Sequence, residues 1–346
     1  MNIAIRPSTL DVGELLRRAR ELTGPVLQNV VAGLPEPTRT VARHHFGWRD
    51  TAGRPAQGDW GKGVRGALAL GSAQACGGPM SLAVHAAAGV ELVHNFSLLH
   101  DDLMDNDHIR RGRPTAWSLF GDAQAVLAGD ALLVMALKVL ITEQASELTA
   151  NAVRELSDAL LGLLAGQGDD LDFEKRTDVR PDDCLRMAAG KTASLFTGAC
   201  ALGAIAVSAE PDRVGGLRAF GHHVGLAFQL SDDVLGIWGD SAISGKPVGA
   251  DLQRRKKSFP VVAALSSDTR AGRQLAELYD RTERLSDAGI RRATRLIEEA
   301  GGLERTRQEI ARRHVFALDR LASVSPEPEG ERMLRSIADL AMHRRA

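Results

Sequence analysis

A single tyrosine, three cysteines and an aromatic content of 4% in a chain of 346 residues exclude several kinds of protein at once. So few rings leave aromatic-lined sheets and cation cages thinly supplied. Cys76, Cys184 and Cys200 are too few and too scattered for a disulfide framework or a zinc site, which fits a reducing, cytoplasmic setting. Excess charge is lacking too. With 43 Lys and Arg against 44 Asp and Glu, the formal net charge of -1 carries no polyanion-binding footprint, and no nucleic-acid partner is expected. The basic run Arg254–Lys257 is too short to change that.

Long apolar runs are equally scarce. The opening MNIAIRPSTLDVGELL has no continuous apolar core, so no signal peptide is expected. Thr192–Ala209 carries no charge but is built from Ala, Gly, Ser and Thr, whereas a membrane-crossing helix needs about 20 predominantly apolar residues. It reads as a tightly packed internal helix, and no membrane span is expected. Lysine is also rare: only Lys62, Lys138, Lys175, Lys191, Lys246, Lys256 and Lys257 stand among the basic residues. Where Arg is the generic surface cation, each Lys asks for a reason.

What the chain has in quantity is helical periodicity. Apolar residues recur at spacings of three and four over 81–103, 123–143, 149–174, 182–208 and 214–238, and alternating patterns are nearly absent. Gly, Pro and Asp clusters punctuate it at 47–61, 76–80, 209–213, 239–251 and 325–332. Length alone allows one or two domains, but no repeat, low-complexity tract or composition shift marks a linker. The expectation is a loose tail over 1–10 and a single all-α domain over 11–346, with about ten or more helices.

Two acidic clusters stand out. In LLHDDLMDNDHIRRGRPT (98–115), Asp101, Asp102 and Asp105 fall within one helical turn, with Asp101, Asp105 and the earlier His94 on one face. Like charges this close destabilise a helix end unless a cation neutralises them, and magnesium prefers a few carboxylates with waters and phosphate oxygens. In AFQLSDDVLGIWGD (227–240), Asp232 and Asp233 follow an apolar helix, with Gln229 one turn upstream and Gly236 one turn on. A mid-helix glycine costs about 1 kcal/mol relative to alanine, which suggests close packing or room for a ligand. Either cluster alone also reads as a solvated helix end; two together favour ends that face each other across a bundle and hold metal. Countercharge sits nearby in sequence: Lys62 and Arg65 in GKGVRG, Lys191 and Thr192 in AAGKTASLF, Lys246 in SGKPVGAD, Lys256 in RRKKS, and Arg110 with Arg111. Carboxylates alternating with phosphate-binding cations are what a magnesium–diphosphate complex requires.

Other motifs are missing. No P-loop, dinucleotide fingerprint, zinc-protease helix or nucleophile elbow occurs in the required context. Glu91 and His94 form one E-x-x-H, but a di-iron bundle needs two. His222 and His223 read as packing or solvent-facing residues rather than ligands.

At these residues the sequence resembles the trans-isoprenyl diphosphate synthases, the family of farnesyl and geranylgeranyl diphosphate synthases. The likeness runs from about Trp60 to Pro260, with DDLMD and SDDVLG as the two aspartate-rich motifs and RRGRPT, GQGDDLDFE, GKT, FQ and GKPVGAD in the family's order. The resemblance implies an all-α bundle of the isoprenoid synthase type with a central active-site cavity. It implies magnesium, three ions, bound by Asp101, Asp105 and Asp232, with Asp102, Asp233 and Asp251 supporting the metal waters. Arg110, Lys191, Lys246 and Lys256 would hold an allylic diphosphate, and Lys62, Arg65, His94 and Arg111 would hold isopentenyl diphosphate. Gln167, Asp170, Thr192 and Gln229 would line the path of the reacting carbons. Two departures are plain: the family's Gly-Gly-Lys-x-x-Arg-Pro is Trp60-Gly-Lys-Gly-Val-Arg-Gly66, and the last Asp of the second motif is Gly236.

The family's reaction is an electrophilic alkylation giving a linear prenyl diphosphate. In the family, the fifth and fourth residues before the first Asp shape the cavity floor; here they are Phe96 and Ser97. An aromatic followed by a small residue resembles enzymes of the twenty-carbon product, geranylgeranyl diphosphate, with farnesyl or longer products as alternatives. A class I terpene cyclase is the rival, disfavoured by the missing Asn-x-x-x-Ser-x-x-x-Glu pattern, the few aromatics and an isopentenyl site it would not use. The family is usually homodimeric. The GWRDTAGRPA stretch resembles actinobacterial-type members, some of which are encapsulin cargo, although no cargo tag is visible.

Overall fold

The computed structural model describes residues 11–56, 58, 60–141, 147–239, 249–280 and 285–342; the expected tail over 1–10, and Lys246, lie outside the described residues. The chain forms two compact units. One comprises residues up to Ser157 together with Gly198–Arg218 and Leu321–Leu340. The other comprises Asp158–Thr197, Ala219–Arg320 and the residues from Ala341 on.

In chain order the helices are α1 (Val12–Ala32), α2 (Thr38–His45), α3 (Val64–Ala75), α4 (Val84–Met104), α5 (Ala116–Phe120), α6 (Asp122–Lys138), α7 (Glu147–Phe173) and α8 (Pro181–Ala188). They continue with α9 (Ser194–Ala206), α10 (Pro211–Trp238), α11 (Ala250–Gln253), α12 (Phe259–Leu265), α13 (Arg270–Tyr279), α14 (Asp287–Glu299), α15 (Gly302–Ser323) and α16 (Pro328–Met342). Among the described residues the only sheet is a pair of two-residue strands, β1 (Ile109–Arg110) and β2 (Arg113–Pro114).

Helix starts follow local chemistry. The side chains of Asp11, Thr269 and Ser286 accept first-turn N–H groups of α1, α13 and α14, at 3.0, 3.0 and 3.3 Å. Proline opens α8, α10 and α16, where its missing N–H is not needed. That explains one difference from the sequence reading: the break expected over 325–332 is shorter, because Pro328 starts α16 instead of belonging to the loop. A second difference is at 182–208, where one helix was expected. A π turn at Ala189–Ala193 separates α8 from α9, and such turns concentrate at functional sites.

In the first unit α4 is the central helix, packed against α1, α3 and α6. Among the described residues it is also the one segment, with the preceding turn, that is long and apolar enough to cross a membrane, yet 72% of its most apolar window is buried in the fold. It is a core helix. The second unit has a core of Ile237, Leu252, Val261, Leu275, Leu296 and Ile297, each fully buried aliphatic side chain contributing about 1.5–3 kcal/mol.

Candidate active site

In the first unit the acidic cluster ends α4. The Asp105 N–H donates to the Asp101 carbonyl at 2.8 Å, so the two residues are stacked one turn apart on a shared face. Both are half-buried, while Asp102 turns inward and is 1% exposed. Arg110 Nε donates to Asp102 Oδ1 at 2.5 Å. Burial pushes the Asp102 carboxyl up to about 6, against the pull of Arg110. Its other oxygen, Oδ2, is buried without a hydrogen-bond partner.

Arg110 reaches Asp102 because the chain doubles back at once. Arg111 and Gly112 form the two-residue turn between β1 and β2, with φ of 51° and 72°. Positive φ at both central positions is the signature of a type I′ turn, which Asn or Gly usually supplies. An arginine held there is strained, and such strain clusters at functional sites. The turn lays the Arg111 guanidinium over Gly61, where an added Cβ would stand 2.8 Å from Nη2. This brings Arg111 to the GKGVRG segment, which carries Lys62 and Arg65. His94, on α4, is in the same neighbourhood: burial first, and then Arg65 and Arg111, hold its pKa well below the ordinary value. The first unit therefore gathers Arg65, Arg110 and Arg111 around His94, with Arg110 paired to Asp102 and Lys62 next in the chain to the Gly61 that Arg111 covers.

The second unit assembles the other group. Gly166 on α7 and Gly190 in the π turn are in backbone contact, a Cβ on Gly166 falling 2.0 Å from the Lys191 nitrogen. Only glycine allows that approach, and it places Asp170 against Lys191 at 2.6 Å and Lys256 at 3.6 Å. Burial would raise the Asp170 carboxyl, but the ammonium groups of Lys256 and Lys191 outweigh it and hold it low. From the same turn Thr192 Oγ1 donates to Gln229 Oε1 at 2.5 Å, and Gln229 Nε2 donates to Asp233 Oδ1 at 2.9 Å. Asp233 Oδ2 accepts the N–H of Phe259 at 3.1 Å. Burial nevertheless pushes Asp233 up to about 7. Asp232, the neighbouring residue, is half-buried. Gln167 is 7% exposed, and neither of its amide atoms has a protein partner. A buried polar group left so is expensive, and it points to a ligand-facing role.

In the first unit the hard carboxylate oxygens of Asp101 and Asp105, with Asp102 Oδ2 buried and unpartnered, suit a small divalent cation; in the second unit Asp232 offers a half-buried carboxylate of the same kind. Among the described residues no three His, Cys, Asp or Glu side chains converge into a ready-made cage. Magnesium is commonly held by one or two carboxylates plus substrate phosphates, so these residues fit an ion that is completed by a diphosphate.

Three residues escaped the sequence reading. Glu91, weighed there only as half of a metal motif, is 2% exposed and accepts the N–H of Gly66 at 2.8 Å. His45 Nε2 bonds Asn95 Oδ1 at 3.1 Å, and Asn95 Nδ2 donates to the Glu91 carbonyl at 2.8 Å. Nothing in the local sequence marks these long-range contacts. His222 and His223 pack against each other, and His223 against Phe316, with ring centroids 5.3 and 5.4 Å apart.

The polyprenyl synthetase family model matches residues 53–297. A geranylgeranyl diphosphate synthase of Mycobacterium tuberculosis is 47% identical over 293 residues, 84% of this chain and 84% of its own length. A (2E,6E)-farnesyl diphosphate synthase of the same species is 44% identical over 336 residues, 96% of this chain and 93% of its own. The crystal structure of a polyprenyl synthetase from Streptomyces coelicolor superposes with a TM-score of 0.91 at 43% identity, over 96% of this chain and 99% of that one.

Proposed function

The chain belongs to the polyprenyl synthetase family and has its all-α fold, and we propose that it is a trans-prenyl diphosphate synthase making geranylgeranyl diphosphate. It joins isopentenyl diphosphate to allylic diphosphates. The observation that carries this reading is the grouping of Arg65, His94 and Arg111, an anion site that an enzyme without isopentenyl diphosphate would not use. The family model spans both units, in support of one catalytic domain over 11–346.

Lys62, Arg65, His94 and Arg111 bind the diphosphate of isopentenyl diphosphate, the arginines by bidentate forks. His94, kept neutral by burial and its cationic neighbours, offers a hydrogen bond without adding charge. Arg110, Lys191, Lys246 and Lys256 hold the allylic diphosphate and stabilise charge as it departs. Asp101, Asp105 and Asp232 would hold magnesium, three ions in all, which supplies Lewis-acid stabilisation of the leaving group. Asp102, Asp233 and Asp251 support the metal waters. Gln167, Asp170, Thr192 and Gln229 line the path of the reacting carbons. The Thr192–Gln229–Asp233 chain fixes those side chains, so their oxygens are engaged while the allylic carbon is electrophilic.

Product length rests on Phe96, which is 4% exposed and followed by the small Ser97. The 47% identical relative that makes the twenty-carbon compound favours the same product, and the 44% identical farnesyl enzyme is the competing precedent. The enzyme acts as a homodimer in the cytoplasm. Leu127 and Val134, both on α6, are 54% and 63% exposed, in keeping with a subunit interface, and three free cysteines fit a reducing compartment.

The test is incubation of purified protein with magnesium, isopentenyl diphosphate and each allylic starter, followed by dephosphorylation and gas chromatography with mass spectrometry. A linear twenty-carbon alcohol is expected. A linear alcohol of another length would retain the chemistry and discard the Phe96 inference. A cyclic hydrocarbon formed without isopentenyl diphosphate would overturn the reading.

A further inference from the structure

Helix α3 begins without a cap of its own. Its N-cap is Gly63, at φ 67°, which has no side chain to accept the first-turn N–H groups. Those groups are orphans in any helix and must find an acceptor when buried. Here the acceptor comes from another helix. Glu91, 2% exposed on α4, accepts the Gly66 N–H through Oε1 at 2.8 Å. A carboxylate at a helix N-terminus is also favoured by the helix dipole. Behind it, Asn95 and His45 tie the Glu91 backbone to α2.

The residue at 66 makes this arrangement possible. The family pattern has proline there, and proline has no N–H to donate. Glycine restores the donor, and an added Cβ would still meet Glu91 Cγ and Oε1 at an ordinary 3.4 Å, so it is the N–H rather than the missing side chain that matters. Arg65 sits between the uncapped Gly63 and this bond, so its backbone is fixed by Glu91.

We infer that Glu91 is a positioning residue for isopentenyl diphosphate: from α4 it caps the first turn of α3 and so aims Arg65. The inference rests on the reading of Lys62, Arg65 and His94 as the isopentenyl site. Glu91 does not touch substrate. It acts through the backbone that carries one of the diphosphate-binding cations.

Steady-state kinetics of E91A, E91Q and G66P, with each substrate varied in turn, separate this role from a general loss of structure. E91A should raise KM for isopentenyl diphosphate roughly tenfold, the scale of one lost charge-assisted hydrogen bond, with KM for the allylic diphosphate and kcat nearly unchanged. Gln keeps an acceptor at the same place, so E91Q should recover most of the loss. G66P removes the N–H donor to Glu91 and should shift the same KM in the same direction. If E91A does not fold, G66P against G66A carries the comparison, because Ala keeps the N–H. The inference is overturned if both KM values rise together, if neither moves, or if E91Q is as impaired as E91A. Amide hydrogen exchange keeps this failure apart from failure of the functional reading. Protection at Gly66 should be lost in E91A and kept in E91Q whether or not the wild-type protein consumes isopentenyl diphosphate.

Discussion

Gly236 and Asp251 share one small space: a Cβ on Gly236 would stand 2.1 Å from Asp251 Oδ2. The glycine that replaces the last aspartate of the second acidic motif thus makes room for a carboxylate from α11. That carboxylate is close enough to Asp233 to push its proton affinity up. Gly236→Ala must therefore displace Asp251. In a helix interior the change would otherwise gain about 1 kcal/mol of helix propensity. Expected together are an unchanged or slightly raised urea midpoint and a fall in kcat of roughly tenfold or more, the cost of displacing one supporting carboxylate by about an ångström. A variant with wild-type kcat and an unaltered magnesium requirement would show that Asp251 need not occupy that spot.

Asp101 is placed against the interest of stability. It ends α4 beside Asp102 and Asp105, where like charges repel and the helix dipole disfavours anions. Asp101→Ala should leave the melting temperature unchanged or raise it, while lowering turnover by about a thousandfold. A bisphosphonate with magnesium should raise the melting temperature of the wild-type protein and not that of the variant, because a ligand stabilises only the state that binds it. Near-normal activity in Asp101→Ala would remove the first acidic cluster from the mechanism.

Phe96 is held by its neighbour rather than left to swing. Its ring meets His100 edge-on at 4.8 Å, and His100 Nε2 in turn donates to the Val126 carbonyl of α6, 3.2 Å away. Phe96→Ala should lengthen the product beyond twenty carbons if this ring is the floor. The substitution also costs about 3–5 kcal/mol for a buried aromatic, so product length is best read by mass spectrometry below 25 °C, with Phe96→Leu as the milder companion. An unchanged chain length in both variants would place the floor elsewhere.

The helices were legible because spacing and capping are local. The helix ending at Met104 and the one ending at Trp238 lie within a few residues of the periodicity that marks them, and the prolines and glycines fall where helices start and stop. The π turn at Ala189–Ala193 was not legible: its extra residue arises where Gly166 and Gly190 meet, which is a tertiary contact. The same holds for Glu91. Its spacing to His94 suggests a metal motif, while its partner, Gly66, is 25 positions away on another helix. Lysine scarcity was the most informative compositional signal, because it singled out Lys191 and Lys256, which the fold brings to the same carboxylate, Asp170.

His45 connects protonation to stability. It is buried, bonds Asn95, and is held well below its ordinary pKa by burial and then by Arg111 and Arg110. The folded chain thus keeps the ring neutral where the unfolded chain, with a pKa near ~6.5, takes up a proton. Stability from this group is present above about pH 6.5 and is lost as pH falls, by about 1.4 kcal/mol per pH unit until the folded group also titrates. The raised carboxyls of Asp102 and Asp233 have the opposite sign: the fold binds their protons first, so they favour the native state as pH falls through about 7 and 6. The whole protein can therefore show a flat profile, and the contribution of His45 has to be read as a difference. His45→Gln keeps an N–H donor toward Asn95 without a titrating group. At pH 7.5 it should be less stable than the wild type, and the gap in unfolding free energy should close as pH is lowered to 5.5. A gap that stays constant over that range would mean that His45 titrates in the folded protein as it does in the unfolded chain.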